Sequence, residues 1–133
     1  MRKIGICIGV VVLFIASCTK GPGPGGRAKI KGKLFAKNLD KTLSFVTDSG
    51  FVADEKIYIS YGDNTSVGND VTTSFDGSFE FDYLRPGNYK VWAISKILYG
   101  VNQLDTTILQ DVTISGKSEE KDLGTIRIYT NKN

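Results

Sequence analysis

The chain has 133 residues, 17 basic and 14 acidic side chains, and a formal net charge of +3. It has no histidine, and its two cysteines, Cys7 and Cys18, both fall at the N-terminal end. The residues after Cys18 therefore carry no disulfide, no cysteine or imidazole zinc site, and no Ser-His-Asp or Cys-His nucleophile, so no catalytic or metal-ligating residue is assigned and no cofactor is expected.

Arg2 and Lys3 precede an apolar run from Ile4 to Ile15. A run of about a dozen residues matches a signal-peptide core and falls short of the ~20 that a spanning helix needs. Ala16 and Ser17 are small, and Cys18 stands where a peptidase would cut. The order Ile15-Ala16-Ser17-Cys18 resembles the lipobox of bacterial lipoproteins. The resemblance implies cleavage between Ser17 and Cys18, a diacylglyceryl thioether on the Cys18 sulfur, and an acylated amine. Two or three acyl chains hold a protein firmly where one holds it reversibly, each buried methylene contributing about 0.8 kcal/mol. The expected partner is thus a membrane leaflet, reached through the N-terminal acyl chains. Thr19 follows the cysteine, where an Asp would be the inner-membrane retention signal of many Gram-negative lipoproteins. Its absence favours the outer membrane, with the body facing either the periplasm or the outside.

Residues 1–17 read as the signal peptide, 18–26 as the lipidated cysteine and a Gly/Pro spacer, and 27–133 as one domain. Removing the signal leaves 116 residues and, without Arg2 and Lys3, a net charge of +1. A nucleic-acid binder carries a basic stripe. Here Arg27, Lys29, Lys31, Lys33 and Lys37 form the only basic cluster, and it reads as the solvated face of a strand, with weak attraction to anionic headgroups as a second use. No nucleic-acid partner is expected.

The spacer, with Gly21-Pro-Gly-Pro-Gly-Gly26 at its centre, reads as unable to hold helix or strand. From Arg27 the pattern is β. Ile30, Gly32, Leu34 and Ala36 alternate with Lys29, Lys31, Lys33 and Phe35, the period of a half-buried strand. Asn38 to Asp54 is mixed and fits either a short helical turn or an extra hairpin. Lys56 to Tyr61 predicts a strand with Ile57 and Ile59 on one face and Tyr58 on the other. Asp76-Gly77, between Val71–Phe75 and Ser78–Phe81, predicts a hairpin turn, since both turn positions favour positive φ. Phe79 and Phe81 are expected inside, Glu80 and Asp82 outside. Arg85-Pro86-Gly87-Asn88 is a second turn and Tyr89 to Ser95 the next strand. Ile97 to Thr107 is a loop or ragged edge, and Ile108–Ser115 and Leu123–Tyr129 close the series. No helical stripe of useful length occurs. About seven short strands with regular turns predict an all-β, antiparallel Greek-key sandwich.

Residues 73–93, reading TSFDGSFEFDYLRPGNYKVWA, resemble the signature of carboxypeptidase-regulatory-like domains, T-D-x-x-G-x-F-x-F-x-x-L-x-P-G-x-Y-x-V. Ile30-Lys-Gly-Lys-Leu34 is similar to the first strand of that family, and Val112–Lys117 with Leu123-Gly-Thr-Ile126 to its close. The resemblance spans residues 28–129 and implies a transthyretin-like (prealbumin-like) sandwich. It is specific for fold and poor for activity. The segment Asn38–Asp54 looks like an insertion. Tyr89 is expected inside, its hydroxyl satisfying a backbone group at the corner.

Carboxylates Asp63, Asp70, Glu80 and Asp82 are the candidates for a small hydrolase, which needs two of them in one pocket; solubility explains them as well. Asp63-Asn64 with Asn69-Asp70 could offer oxygens to calcium, yet fit no EF-hand spacing. The related adhesin domains place a glutamate soon after the P-G-x-Y strand for a Lys–Asn cross-link. None follows Tyr89 here, so none is expected from Lys31 or Lys33 with Asn131. If Tyr89, Val91 and Ala93 face inward, Trp92 and Ile94 face outward, and with Tyr58 they form the candidate binding set. The expectation is that Asn38–Asp54 folds over that face and buries both Trp92 and Ile94. The sequence thus points to a lipid-anchored, non-enzymatic binding or structural module of the cell envelope, its partner a protein or a glycan. The alternatives are a carbohydrate-binding module using exposed aromatics and a carboxylate-dependent hydrolase.

Overall fold

The computed structural model describes residues 21–98 and 105–131. Ser17, Cys18 and the signal segment lie outside the described residues, as do residues 99–104. Among the described residues there are eight strands: β1 (Pro24–Leu39), β2 (Val46–Phe51), β3 (Lys56–Tyr61), β4 (Asn69–Thr72), β5 (Ser78–Leu84), β6 (Gly87–Lys96), β7 (Asp105–Ile114) and β8 (Glu120–Thr130). They form two four-stranded sheets. In the first, β2 and β5 pair with successive parts of β1 and β8 pairs with it as well; the second runs β4-β3-β6-β7. The chain is all-β, as expected. Two details differ: there are eight strands rather than about seven, and β1 pairs with β8 in parallel, not antiparallel.

The period-two pattern explains the core. Ile30, Leu34 and Ala36 of β1 and Ile126 and Ile128 of β8 meet Ile57, Ile59, Val91, Ala93, Val112 and Ile114 of the other sheet, all buried. Each of the Val, Leu and Ile side chains contributes on the order of 1.5–3 kcal/mol through removal of apolar surface from water. Phe79 and Phe81 point inward and Glu80 and Asp82 outward, as the alternation predicts. Gly32 lies against the Phe79 ring, where an added Cβ would come within 2.7 Å of Cζ.

The ambiguous 38–54 stretch is a hairpin arm. β2 pairs antiparallel with the C-terminal half of β1, bringing Phe51 opposite Phe35, and the two rings meet edge to face at 5.4 Å. Asp40 holds the loop: its carboxylate accepts from the Thr42 hydroxyl (2.6 Å) and from the Ser44 and Phe45 amides (2.9 and 3.0 Å). Leu43 and Leu39 are buried beneath it.

The Asp76-Gly77 turn is real but joins different partners from those its sequence predicts. Its arms do not pair as one hairpin: β4 belongs to the second sheet and β5 to the first. The turn carries the chain across the sandwich. The carbonyl of Gly77 (φ 83°) accepts from the Leu34 amide of β1 (2.8 Å), and an added Cβ would come within 2.8 Å of the Leu34 oxygen.

Residues 21–26 are a correction to the expected free spacer. β1 begins at Pro24, ahead of the expected domain start at Arg27, and the segment is docked on the β5–β6 turn. The Arg85 amide donates to the Gly23 carbonyl (2.9 Å), and its guanidinium donates to the carbonyls of Gly21 (2.7 Å, from Nε) and Pro24. Pro22 covers Gly87, where an added Cβ would come within 2.5 Å of its Cγ. Beneath them the buried Tyr89 hydroxyl accepts from the Gly23 amide (2.8 Å) and donates to the Arg85 carbonyl (2.6 Å). The expected corner role of Tyr89 is therefore present, with the Gly/Pro segment as an added partner. Glycine and proline are free only where nothing holds them; here the Arg85 guanidinium binds two carbonyls of the segment and the Arg85 amide a third.

Alternation along β5 would place Tyr83 inside. Its left-handed backbone (φ 58°) breaks the alternation, and the β1–β5 register shifts beside it. Leu84 takes the buried slot, and Tyr83 is left 73% exposed. That conformation costs a non-glycine residue roughly 1–2 kcal/mol.

Candidate functional site

The outer face of the second sheet carries the expected set. Side chains two apart on a strand share a face, so Trp92 and Ile94 of β6 stand together. Tyr58 of β3 lies directly opposite Trp92, and their rings stack at 5.7 Å with planes 20° apart. On the other side Leu109 of β7 lies opposite Trp92, and Thr107 opposite Ile94. Beyond Tyr58 comes Asp70 of β4. One row thus crosses all four strands: Asp70, Tyr58, Trp92, Leu109.

The expected cover is absent from this face. The 38–54 segment builds onto the edge of the first sheet instead of folding over the second. Its backbone pairs with β1, Phe51 meets Phe35, and Leu39 and Leu43 are buried, while Phe45 and Val46 stay exposed. Tyr58 and Trp92 are half-buried by their neighbours, whereas Ile94 is 41% and Leu109 49% exposed. Leu109 was not singled out from sequence; its position two strands from Tyr58 follows only from the β6–β7 register. Lys56 and Asp70 form an ion pair (3.6 Å) at the β4 end of the row, so the aromatic surface is bordered by polar groups.

The four candidate carboxylates are divided. Asp63 lines a small hollow with Asn88, Lys90 and Asp111, and Asp82 lies beside Arg27, Lys29 and Tyr83. Asp70 and Glu80 do line one open groove of about 870 Å³, together with Lys31, Lys33 and Lys56. Each faces a lysine: Asp70 meets Lys56, and Glu80 meets Lys29 at 3.4 Å. Lys31, on the same wall, pairs with Glu120 at 2.7 Å. Their hydrogen bond, and then their opposite charges, raise the Lys31 ammonium and lower the Glu120 carboxyl from their ordinary values. The pair is solvated, so it sets charge balance more than stability.

The oxygens considered for calcium serve local turns. Asn64 accepts from the Ser66 amide (3.0 Å), Asn69 from the Asp70 amide (2.8 Å), and Asp70 holds Lys56. Among the described residues no group of three or more acidic, histidine or cysteine side chains could hold a metal ion.

No protein-family model and no curated protein matches the chain. Among solved structures it is similar to a Pseudomonas aeruginosa protein described as a candidate carbohydrate-binding protein. The two share 15% identity at a TM-score of 0.48, over 86% of this chain and 93% of the other. A likeness this weak bears on no residue and no ligand.

Proposed function

We propose that the chain is a lipid-anchored, non-catalytic binding module of the cell envelope. On this reading acyl chains on Cys18 hold it at the outer membrane, and the Tyr58–Trp92 face engages an envelope partner. The observation that carries it is the stacked pair on a sheet face that the 38–54 segment leaves uncovered, flanked by exposed Ile94 and Leu109. Aromatic groups bring large contact area at low entropic cost, and half-exposed tryptophan and tyrosine are the residues on which partners anchor. The 73–93 signature supports placing the sandwich in the transthyretin-like Greek-key class.

Lys56 and Asp70 favour a glycan as one form of that partner. Sugars present an apolar face to a ring and hydroxyls to its border, and this row offers both. A hydrolase through Asp70 and Glu80 is disfavoured, because each carboxylate faces a lysine in an open groove. An acid catalyst needs an apolar or like-charged setting.

The test is a glycan panel with the wild-type protein and Trp92→Ala. Selective retention of one glycan class, lost in the variant, is the expected result for the sugar form. Equal retention by both proteins overturns it. Crosslinking at position 94 in intact cells then reads the protein form.

A further inference from the structure

The end of the sandwich around the Arg85 turn has a property that neither the aromatic row nor the groove has: it holds the chain leading to the anchor. Gly21 is bonded to Arg85, and Gly23 to Arg85 and Tyr89. Only residues 19 and 20 separate Gly21 from Cys18. Three Cα steps of 3.8 Å reach at most about 11 Å. A free Gly/Pro spacer would let the body turn in any direction; a docked one brings this end against whatever holds Cys18.

The same end displays a ring that the fold has turned outward. Tyr83 should lie inside by alternation, yet its left-handed backbone leaves it 73% exposed. It lines a hollow with Arg27, Lys29 and Asp82. Lys29 is paired there with Glu80 (3.4 Å) and Asp82 (4.0 Å), so Arg27 is the cation offered to phosphate, and tyrosine beside such a cation settles at the headgroup level of a bilayer, the ring in the boundary.

We infer that the Tyr83–Arg27 surface is a bilayer contact, its occupant the phospholipid headgroup layer, and that it fixes the orientation of the domain. The inference rests on the proposed acylation of Cys18. It makes the β5–β6 end proximal and the β4–β5 turn, with exposed Phe75, distal by about 20 Å, the length of seven-residue β5. Trp92, five residues along β6 from Gly87, stands about 16 Å above the proximal end, so the aromatic face rises from the membrane instead of lying on it.

The test uses the full acylated chain in phosphatidylglycerol-containing vesicles. Trp92→Phe removes the single native tryptophan. In that background Tyr83→Trp and Phe75→Trp place a reporter at either end. Mass spectrometry first reads the acyl chains on Cys18; without them both the anchoring and this inference fail. With them present, the expected result is a blue-shifted position-83 reporter that loses most of its emission to lipids brominated near the headgroup, while the position-75 reporter is untouched. Quenching of neither reporter, or of both alike, overturns the orientation while leaving the anchor in place. Arg85→Gln in the position-83 protein is expected to reduce the quenching, and quenching retained in full would overturn the role of the clamp.

Discussion

Removing the Tyr89 hydroxyl tests the corner on which several of these features depend. The residue is 1% exposed, and its oxygen both accepts the Gly23 amide and donates to the Arg85 carbonyl. Two hydrogen bonds at a net ~1 kcal/mol each give about 2 kcal/mol, and the buried Gly23 amide left without an acceptor raises this toward about 3 kcal/mol. A urea slope of roughly 1–3 kcal/mol per molar then puts the midpoint of Tyr89→Phe about 1–3 M below wild type, with the slope unchanged. Hydrogen exchange gives the local reading: the Gly23 amide should lose its protection in the variant even where the core strands keep theirs. Tyr83→Phe is the control, because its exposed hydroxyl should matter by less than about 0.5 kcal/mol. An unchanged midpoint, or equal Gly23 protection in both proteins, would refute the reasoning. Burial raises the Tyr89 phenol above its ordinary value, outweighing its backbone hydrogen bonds and the nearby arginine. Its contribution is therefore whole below about pH 10 and is lost as pH rises through the higher folded value.

Gly77→Ala should cost about 1–2 kcal/mol or more, since the turn needs φ 83° and the new methyl meets the Leu34 carbonyl; Gly50→Ala, with nothing within 4 Å, should stay within about 0.5 kcal/mol. Paired chemical denaturation separates the two, and equal costs would count against the inter-sheet turn. The Thr42 hydroxyl, followed by the Phe45 and Ser44 amides, lowers the Asp40 carboxyl to about 2. A depressed carboxyl supports the fold above its ordinary value and loses that support as pH falls through about 2. An NMR titration should therefore show the Asp40 carboxyl and the Ser44 and Phe45 amides moving together at that pH; a midpoint near 4 would remove the loop's anchor.

The parts of the fold written in short-range pattern were legible. Alternation assigned the two faces of β1, β5 and β6, and the P-G-x-Y spacing placed Tyr89 at its corner. Turn chemistry identified Asp76-Gly77 as a turn but not the sheet to which each arm belongs, because that depends on β1 supplying the Leu34 amide from far away in sequence. The parallel β1–β8 pairing left no local mark for the same reason. Tyr83 ran against its own alternation, since the strain that turns it out is imposed by the shift opposite Ala28. Composition misread Gly21–Gly26: the freedom of glycine and proline is intrinsic, whereas the Arg85 fork that removes it is tertiary. At the candidate site, Tyr58, Trp92 and Ile94 were assigned to one side correctly. Whether anything covered them depended on where 38–54 went, and its apolar residues were equally suited to either destination.

The parallel union of β1 with β8 has a consequence for biogenesis. Asn38 and Thr130 touch across 92 residues of chain, so the first strand synthesised waits beside an empty lane until the last one emerges. Nucleation that needs such distant segments is slow, and an unfilled lane is a template for stray chains. A ribosome that stalls before β8 would release a product with a ready-made adhesive seam, and quality control would have to act on it before a neighbour did.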